Sequence, residues 1–214
     1  MNKLRLLLAA VAVFACSNIY AQDNAFYSEI KSFMTDNRAD YDEIVKSYFA
    51  NKELSLDDYT LLYYGYTFTD AYKPDYTSNE AESLMDAKKY EQAYAVLQRE
   101  HQNDPTSLQT LFDLMGMAYV LEKSQEGQVY QNRYIKLMLA IIQSSGDGLS
   151  AENAIKVNRL TDESQILSTY FKAVSVVKKE FTNDGIDKVT VKDSDGIVKD
   201  VYFDFSRYLE VSGK

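Results

Sequence analysis

The chain has 214 residues, 46% of them hydrophobic, with only two prolines and eight glycines, which suits one well-cored domain of mostly regular structure. Its formal net charge of −9 repels phosphate backbones and anionic lipid, which argues against nucleic-acid and membrane-surface binding. One cysteine, Cys16, excludes an internal disulfide, and one histidine, His101, leaves no set for a structural zinc or a Cys-His nucleophile.

Lys3 and Arg5 precede an apolar run from Leu6 to Ala15, and Ala21 stands before Gln22 and Asp23. This pattern predicts a secretory signal peptide over residues 1–21, cut after Ala21. Roughly ten apolar residues are too few to span a bilayer, which takes about twenty, and no later stretch is longer, so no transmembrane helix is expected. The protein is then exported, to the periplasm or beyond. Val13-Phe14-Ala15-Cys16 supports an alternative: a loose lipoprotein signal with a lipid anchor on Cys16 and an outer-membrane location.

Phe26, Ile30, Phe33 and Met34 make one stripe of a helix over 25–38. Asp40 and Glu43 resemble a capping box for a second helix that buries Tyr41, Ile44, Val45, Tyr48 and Phe49. Ser55 and Asp58 repeat the device before Tyr59, Leu62, Tyr63 and Tyr66. Leu61, Tyr64 and Phe68 lie off that stripe, so this third helix is expected to be enclosed on more than one side, with Gly65 admitting a close neighbour. Pro74 closes the segment.

Ala81, Leu84 and Met85 predict a short helix, and a second is expected over 90–101, closed by Asp104-Pro105. Ser107 can cap a third that runs to Lys123, and a fourth follows over 126–144. Ala81 and Leu84 recur thirty-five residues later as Gly116 and Tyr119, close to the tetratricopeptide period of 34. Gln128 stands where Ala93 would recur, so the second repeat is degenerate. Such hairpins build surfaces that hold other molecules rather than reactive centres.

Beyond the Ser144–Gly148 loop the period changes. Ile155 and Val157 alternate, a short helix is expected over 162–167, and residues 171–181 are rich in β-branched types. Asn183-Asp184-Gly185 and Asp195-Gly196 read as turns flanking Val189 and Val191. Val201, Phe203 and Phe205 face one way, Tyr202 and Asp204 the other. The fold class is α+β: an N-terminal helical bundle with tetratricopeptide-like hairpins, then a small antiparallel β-sheet. The expected division is a signal peptide over 1–21, helices over 22–148 with the hairpins at about 78–144, and a sheet over 149–214 packed on the helices.

Three stretches carry a resemblance. They are Leu61-Leu-Tyr-Tyr-Gly-Tyr-Thr-Phe68 with Tyr72-Lys-Pro74, Ser144-Ser-Gly-Asp-Gly-Leu-Ser150 with Ala154, and Gly196-Ile-Val-Lys-Asp-Val-Tyr-Phe203. Together they resemble domain-of-unknown-function family 4919, small exported proteins of Gram-negative bacteria. The resemblance implies a helical part with a sheet appended, and no activity, substrate or catalytic residue. The chain departs from the family's pattern at Lys178-Lys179-Glu180, where a glycine-containing stretch is expected.

No catalytic residue, metal ligand or cofactor is assigned from the sequence. Tyr63, Tyr64, Tyr66 and Tyr72, with Tyr76 nearby, form the densest aromatic group, and their spacing beside Leu61 and Leu62 favours a buried cluster over a stacking platform. Asp147, between Gly146 and Gly148, is the carboxylate best able to approach a ligand, although Gly-Asp-Gly also simply turns a chain. Tyr63, Tyr64, Tyr66, Tyr72 and Asp147 are the candidate binding set. The favoured reading is a non-enzymatic accessory module that holds a protein or peptide partner in the bacterial envelope. The alternative is a carboxylate-dependent hydrolase or saccharide-binding protein built on Asp147 and the tyrosines.

Overall fold

The computed structural model describes residues 19–74, 79–182 and 185–213. Most of the expected signal peptide, Cys16, Tyr76 and Asn183-Asp184 lie outside the described residues. The chain divides between Thr69 and Asp70 into two compact units, so the hairpin helices fall in the same unit as the sheet.

The first unit holds α1 (Ile19–Asp36), α2 (Arg38–Phe49) and α3 (Leu56–Tyr66). Phe26, Ile30 and Met34 of the α1 stripe are buried. The α2 cap lies three residues ahead of the expected box: Asn37 occupies it, and Glu43 instead bonds Lys46 and Lys52. It buries Tyr41 and Tyr48, leaves Ile44 and Val45 half-buried, and exposes Phe49. α3 carries the reciprocal cap: Asp58 N donates to Ser55 Oγ at 3.1 Å and Ser55 N to Asp58 Oδ2 at 2.9 Å. Every residue from Tyr59 to Tyr66 is buried, as an all-round apolar helix requires. A Cβ at Gly65 would meet the Tyr41 ring at 2.8 Å and the Met34 sulfur at 3.0 Å, so glycine lets three helices converge.

The second unit opens with α4 (Glu80–Asp86), α5 (Tyr90–Asn103), α6 (Leu108–Val120) and α7 (Ser124–Ser144). Each packs on the next. Ser107 caps α6 by accepting from Thr110 N at 3.1 Å. The tight turns after α4 and α6 place Lys88 (φ 56°) and Glu122 (φ 59°) in the left-handed region that ends many helices. Gly116 does not bring a neighbour close, since a Cβ there meets nothing within 4 Å. The close approach is at Gly127, where a Cβ would lie 3.0 Å from the Tyr119 ring, and its N–H bonds Lys123 O as that of Ala93 bonds Lys89 O. Gly127 thus stands at the same place after the turn at Glu122 as Ala93 does after the turn at Lys88.

β1 (Ile155–Lys156), α8 (Leu160–Thr169), β2 (Ala173–Phe181), β3 (Ile186–Asp193), β4 (Val198–Asp204) and α9 (Ser206–Ser212) complete the unit. The sheet order is β1-β4-β3-β2, with β2, β3 and β4 antiparallel. β1 pairs parallel to β4, Ile155 beside Phe203, so the sheet is mixed rather than wholly antiparallel. Between β1 and β4 the chain runs through α8, β2 and β3, the long crossover that a parallel pair needs in place of a hairpin. Val189, Val191, Val201, Phe203 and Phe205 are fully buried, as their alternation predicts. Asp204 departs from it. Expected on the outer face, it is buried, with Lys156 Nζ at 3.8 Å and Ser206 N donating to its Oδ1 at 2.7 Å. α9 is absent from the sequence-based expectations, because seven residues show little periodicity and its cap residue, Phe205, makes no side-chain hydrogen bond.

Candidate functional site

α4, α5, α6 and the start of α8 enclose a pocket of about 460 Å³. Glu82, Glu100, Asp104 and Asp113 supply its charge, Leu97 and Met85 part of its apolar wall. Among the described residues Arg159 is the one basic lining residue, and it is engaged. Its Nη2 donates to Asp104 Oδ2 and, at 3.2 Å, to Thr106 Oγ1, while its Nη1 lies 3.7 Å from Asp162 Oδ2. Asp104 in turn accepts from Thr106 N at 3.0 Å, the turn that follows α5. The pocket is therefore negative.

A polar chain fixes its α6 side. Gln109 Nε2 donates to both oxygens of Asp113 at 3.0 Å, Gln165 Nε2 to Gln109 Oε1 at 2.7 Å, and Tyr134 Oη to Gln165 Oε1 at 3.0 Å. Burial raises the Asp113 pKa, the Gln109 hydrogen bond opposes it, and the charges of Glu100 and Glu82 add to the rise. A cation entering here would relieve that repulsion.

A second charged cluster lies at the sheet. Lys179 Nζ sits 2.8 and 3.0 Å from the Glu163 oxygens and 2.7 Å from Asp187 Oδ2. Both carboxyl groups are buried, and the lysine covers them. Burial, then the hydrogen bond shared with Asp187, raise the Glu163 pKa against the pull of Lys179.

His101 is buried on α5, where Arg133 Nη1 donates to its Nε2 at 3.4 Å. Burial, and secondarily the Arg133 charge, pull its pKa from 6.5 down to about 3, so the ring is neutral. With the folded value depressed, its contribution to stability is complete above pH 6.5 and is lost as the pH falls towards 3. His101→Gln is expected to flatten that acid-side loss by a few kcal/mol in urea titrations. An unchanged slope counts against a buried neutral imidazole.

Residues 28–214 match the sequence pattern of the domain of unknown function DUF4919. The chain belongs to the DUF4919 family. No curated protein and no solved structure matches it.

The expected binding residues of this DUF4919 chain fall in separate settings. Tyr63, Tyr64 and Tyr66 are buried in the first unit, with Tyr63 and Tyr64 edge to face at 4.8 Å between centroids. Tyr72 is buried too, but it belongs to the second unit and adjoins the pocket. Arg159 lies over its ring at 5.7 Å, and its hydroxyl donates to Asn158 O at 2.6 Å. Burial raises the Tyr72 pKa, partly offset by Arg159. Asp147 is exposed, accepts from Leu149 N at 2.9 Å and does not line the pocket. The acidic lining was not legible beforehand, because its members come from three helices and a turn. Asp104-Pro105 read only as a helix terminator.

Proposed function

We propose that the protein is an exported, non-enzymatic binding module of the bacterial envelope, and that its pocket takes a lysine or arginine side chain from a protein or peptide partner. The observation that carries this is a roomy pocket with four acidic side chains and one arginine already committed to Asp104. An ammonium or guanidinium group gains charge-assisted hydrogen bonds there, while an anion meets repulsion. Support for degenerate tetratricopeptide-like hairpins comes from the turns at Lys88 and Glu122, whose matching backbone is separated by the period of that repeat. Export rests on the basic start, the apolar run and Ala21. Fractionation with palmitate labelling decides between cleavage after Ala21 and lipid on Cys16.

Calorimetric titration with lysine- and arginine-rich, neutral and acidic peptides tests the pocket. Basic peptides are expected to bind in the micromolar range and to weaken with salt. Glu100→Gln with Asp113→Asn should cost about tenfold or more in affinity without unfolding the chain. Binding should also weaken as the pH falls through the raised pKa of Asp113, since protonation removes a charge the ligand needs. Basic peptides that bind no better than neutral ones would end the proposal.

A further inference from the structure

The last strand of the sheet, β2, has one edge paired with β3 and no strand on the other among the described residues. Lys179 on one face covers Glu163 and Asp187, yet every residue from Val174 to Phe181 is exposed. Val174, Val176, Val177 and Phe181 are 54–66% exposed, an unusual run of apolar side chains on a free edge. A bare row of N–H and C=O groups beside such side chains is a template for another strand.

The sequence of this edge specifies which strand. Reading outward from Lys179, Lys178 lies on one side and Glu180 on the other, then Val177 and Phe181. The strand is thus complementary to itself about Lys179. We propose that two copies of the chain join antiparallel through β2, around a two-fold axis at Lys179. Lys178 of each copy then stands opposite Glu180 of the other, with Val177, at a register shift of β2, and Phe181 ending the paired stretch. Such matching of a patch with itself is what a two-fold interface requires.

The backbone permits this register from Lys178 to Thr182, just past the register shift that β2 makes against β3 at Val177. Thr182 N bonds Ile186 O at 2.8 Å, so alternation directs the groups of Lys178 and Glu180 towards β3 and those of Lys179 and Phe181 to the free edge. The Lys179 N–H and C=O of one copy can therefore exchange hydrogen bonds with those of the other. The facing Lys179 ammonium groups do not oppose pairing, because Glu163 and Asp187 of the same chain neutralise each. In the single chain Lys178 Nζ bonds Glu180 Oε1 at 2.8 Å, an exposed pair worth little that is free to change partners.

Sedimentation equilibrium up to about 100 μM, where a dimer with micromolar Kd is well populated, tests the proposal. The wild-type chain is expected to dimerise. Lys178→Glu leaves only acidic residues at both positions and Glu180→Lys only basic ones, so each variant alone faces two repulsive pairs. Each should weaken dimerisation about tenfold or more. Mixed in equal amounts, the two variants regain opposite charges at both contacts, and the heterodimer should return to near wild-type affinity. That recovery also shows both variants to be folded. A wild-type chain that stays monomeric overturns the proposal, as do single variants that dimerise normally or a mixture that does not associate.

Discussion

Replacing Gly146 by alanine is expected to destabilise the fold by about 3 kcal/mol or more, among the larger effects a single methyl group can have. A Cβ at this position would lie 2.2 Å from the carbonyl oxygen of Asn153 and 2.5 Å from its carbon. Both are backbone atoms, so no side chain can swing aside. Nor can Asn153 yield readily, because its carbonyl also accepts from Gly148 N at 2.8 Å. Gly148 has φ 72°, and its own carbonyl accepts from Tyr202 N at 2.8 Å. The loop thus ties the end of α7 to β1 and β4, and its glycines serve that splice.

Asp147 between them should behave oppositely. It is exposed, and its carboxylate accepts one loop N–H, so Asp147→Ala is expected to cost about 1 kcal/mol or less. Chemical denaturation of the two variants side by side checks the order. An acid/base role for Asp147 requires a different result: an Asp147→Asn protein that folds normally and loses turnover of a substrate. A Gly146→Ala protein as stable as the wild type would remove the structural account of the motif.

The chain's helices were legible because each carries a local signal. Ser55 and Asp58 announced α3, Ser107 announced α6, and apolar residues recurring at helical spacing gave α1 and α7. The burial of Tyr63 and Tyr64 followed from apolar neighbours off the main stripe. What escaped depends on contacts far apart in sequence. The parallel pairing of β1 with β4 joins Ile155 to Phe203, and nothing local in a two-residue strand encodes it. The Asp40 and Glu43 spacing fitted a cap, yet helix formation from Arg38 extended through it. The pocket escaped for the same reason as the sheet cluster: Glu82, Asp113 and Arg159 meet only after folding. One hint existed in Asp187, which occupies a core position in the alternation shared with Val189 and Val191.

That buried aspartate sets the second large expected effect. Lys179→Met should lower stability by about 2 kcal/mol at neutral pH, a figure reduced from that of a fully buried pair because the lysine is partly solvated. The loss has a pH signature that distinguishes charge from packing. Glu163 has a folded-state pKa raised above its ordinary 4.5, so its contribution to stability is complete below 4.5 and is lost as the pH rises through the raised value. Without the ammonium, Glu163 holds its proton more tightly, and ionising it costs more. The deficit of the variant should therefore be widest above the raised Glu163 pKa and close as the pH is lowered towards 4.5. Lys179 itself is pulled down by burial but raised overall by Asp187 and Glu163. Its share is present below pH 10.5 and is lost as the pH climbs through its own raised pKa, so the wild type should also show an alkaline decline that the variant lacks. Denaturant titrations at several pH values measure both limbs. A deficit of the same size at every pH would mean that Lys179 acts through its aliphatic stem against the sheet rather than through its charge.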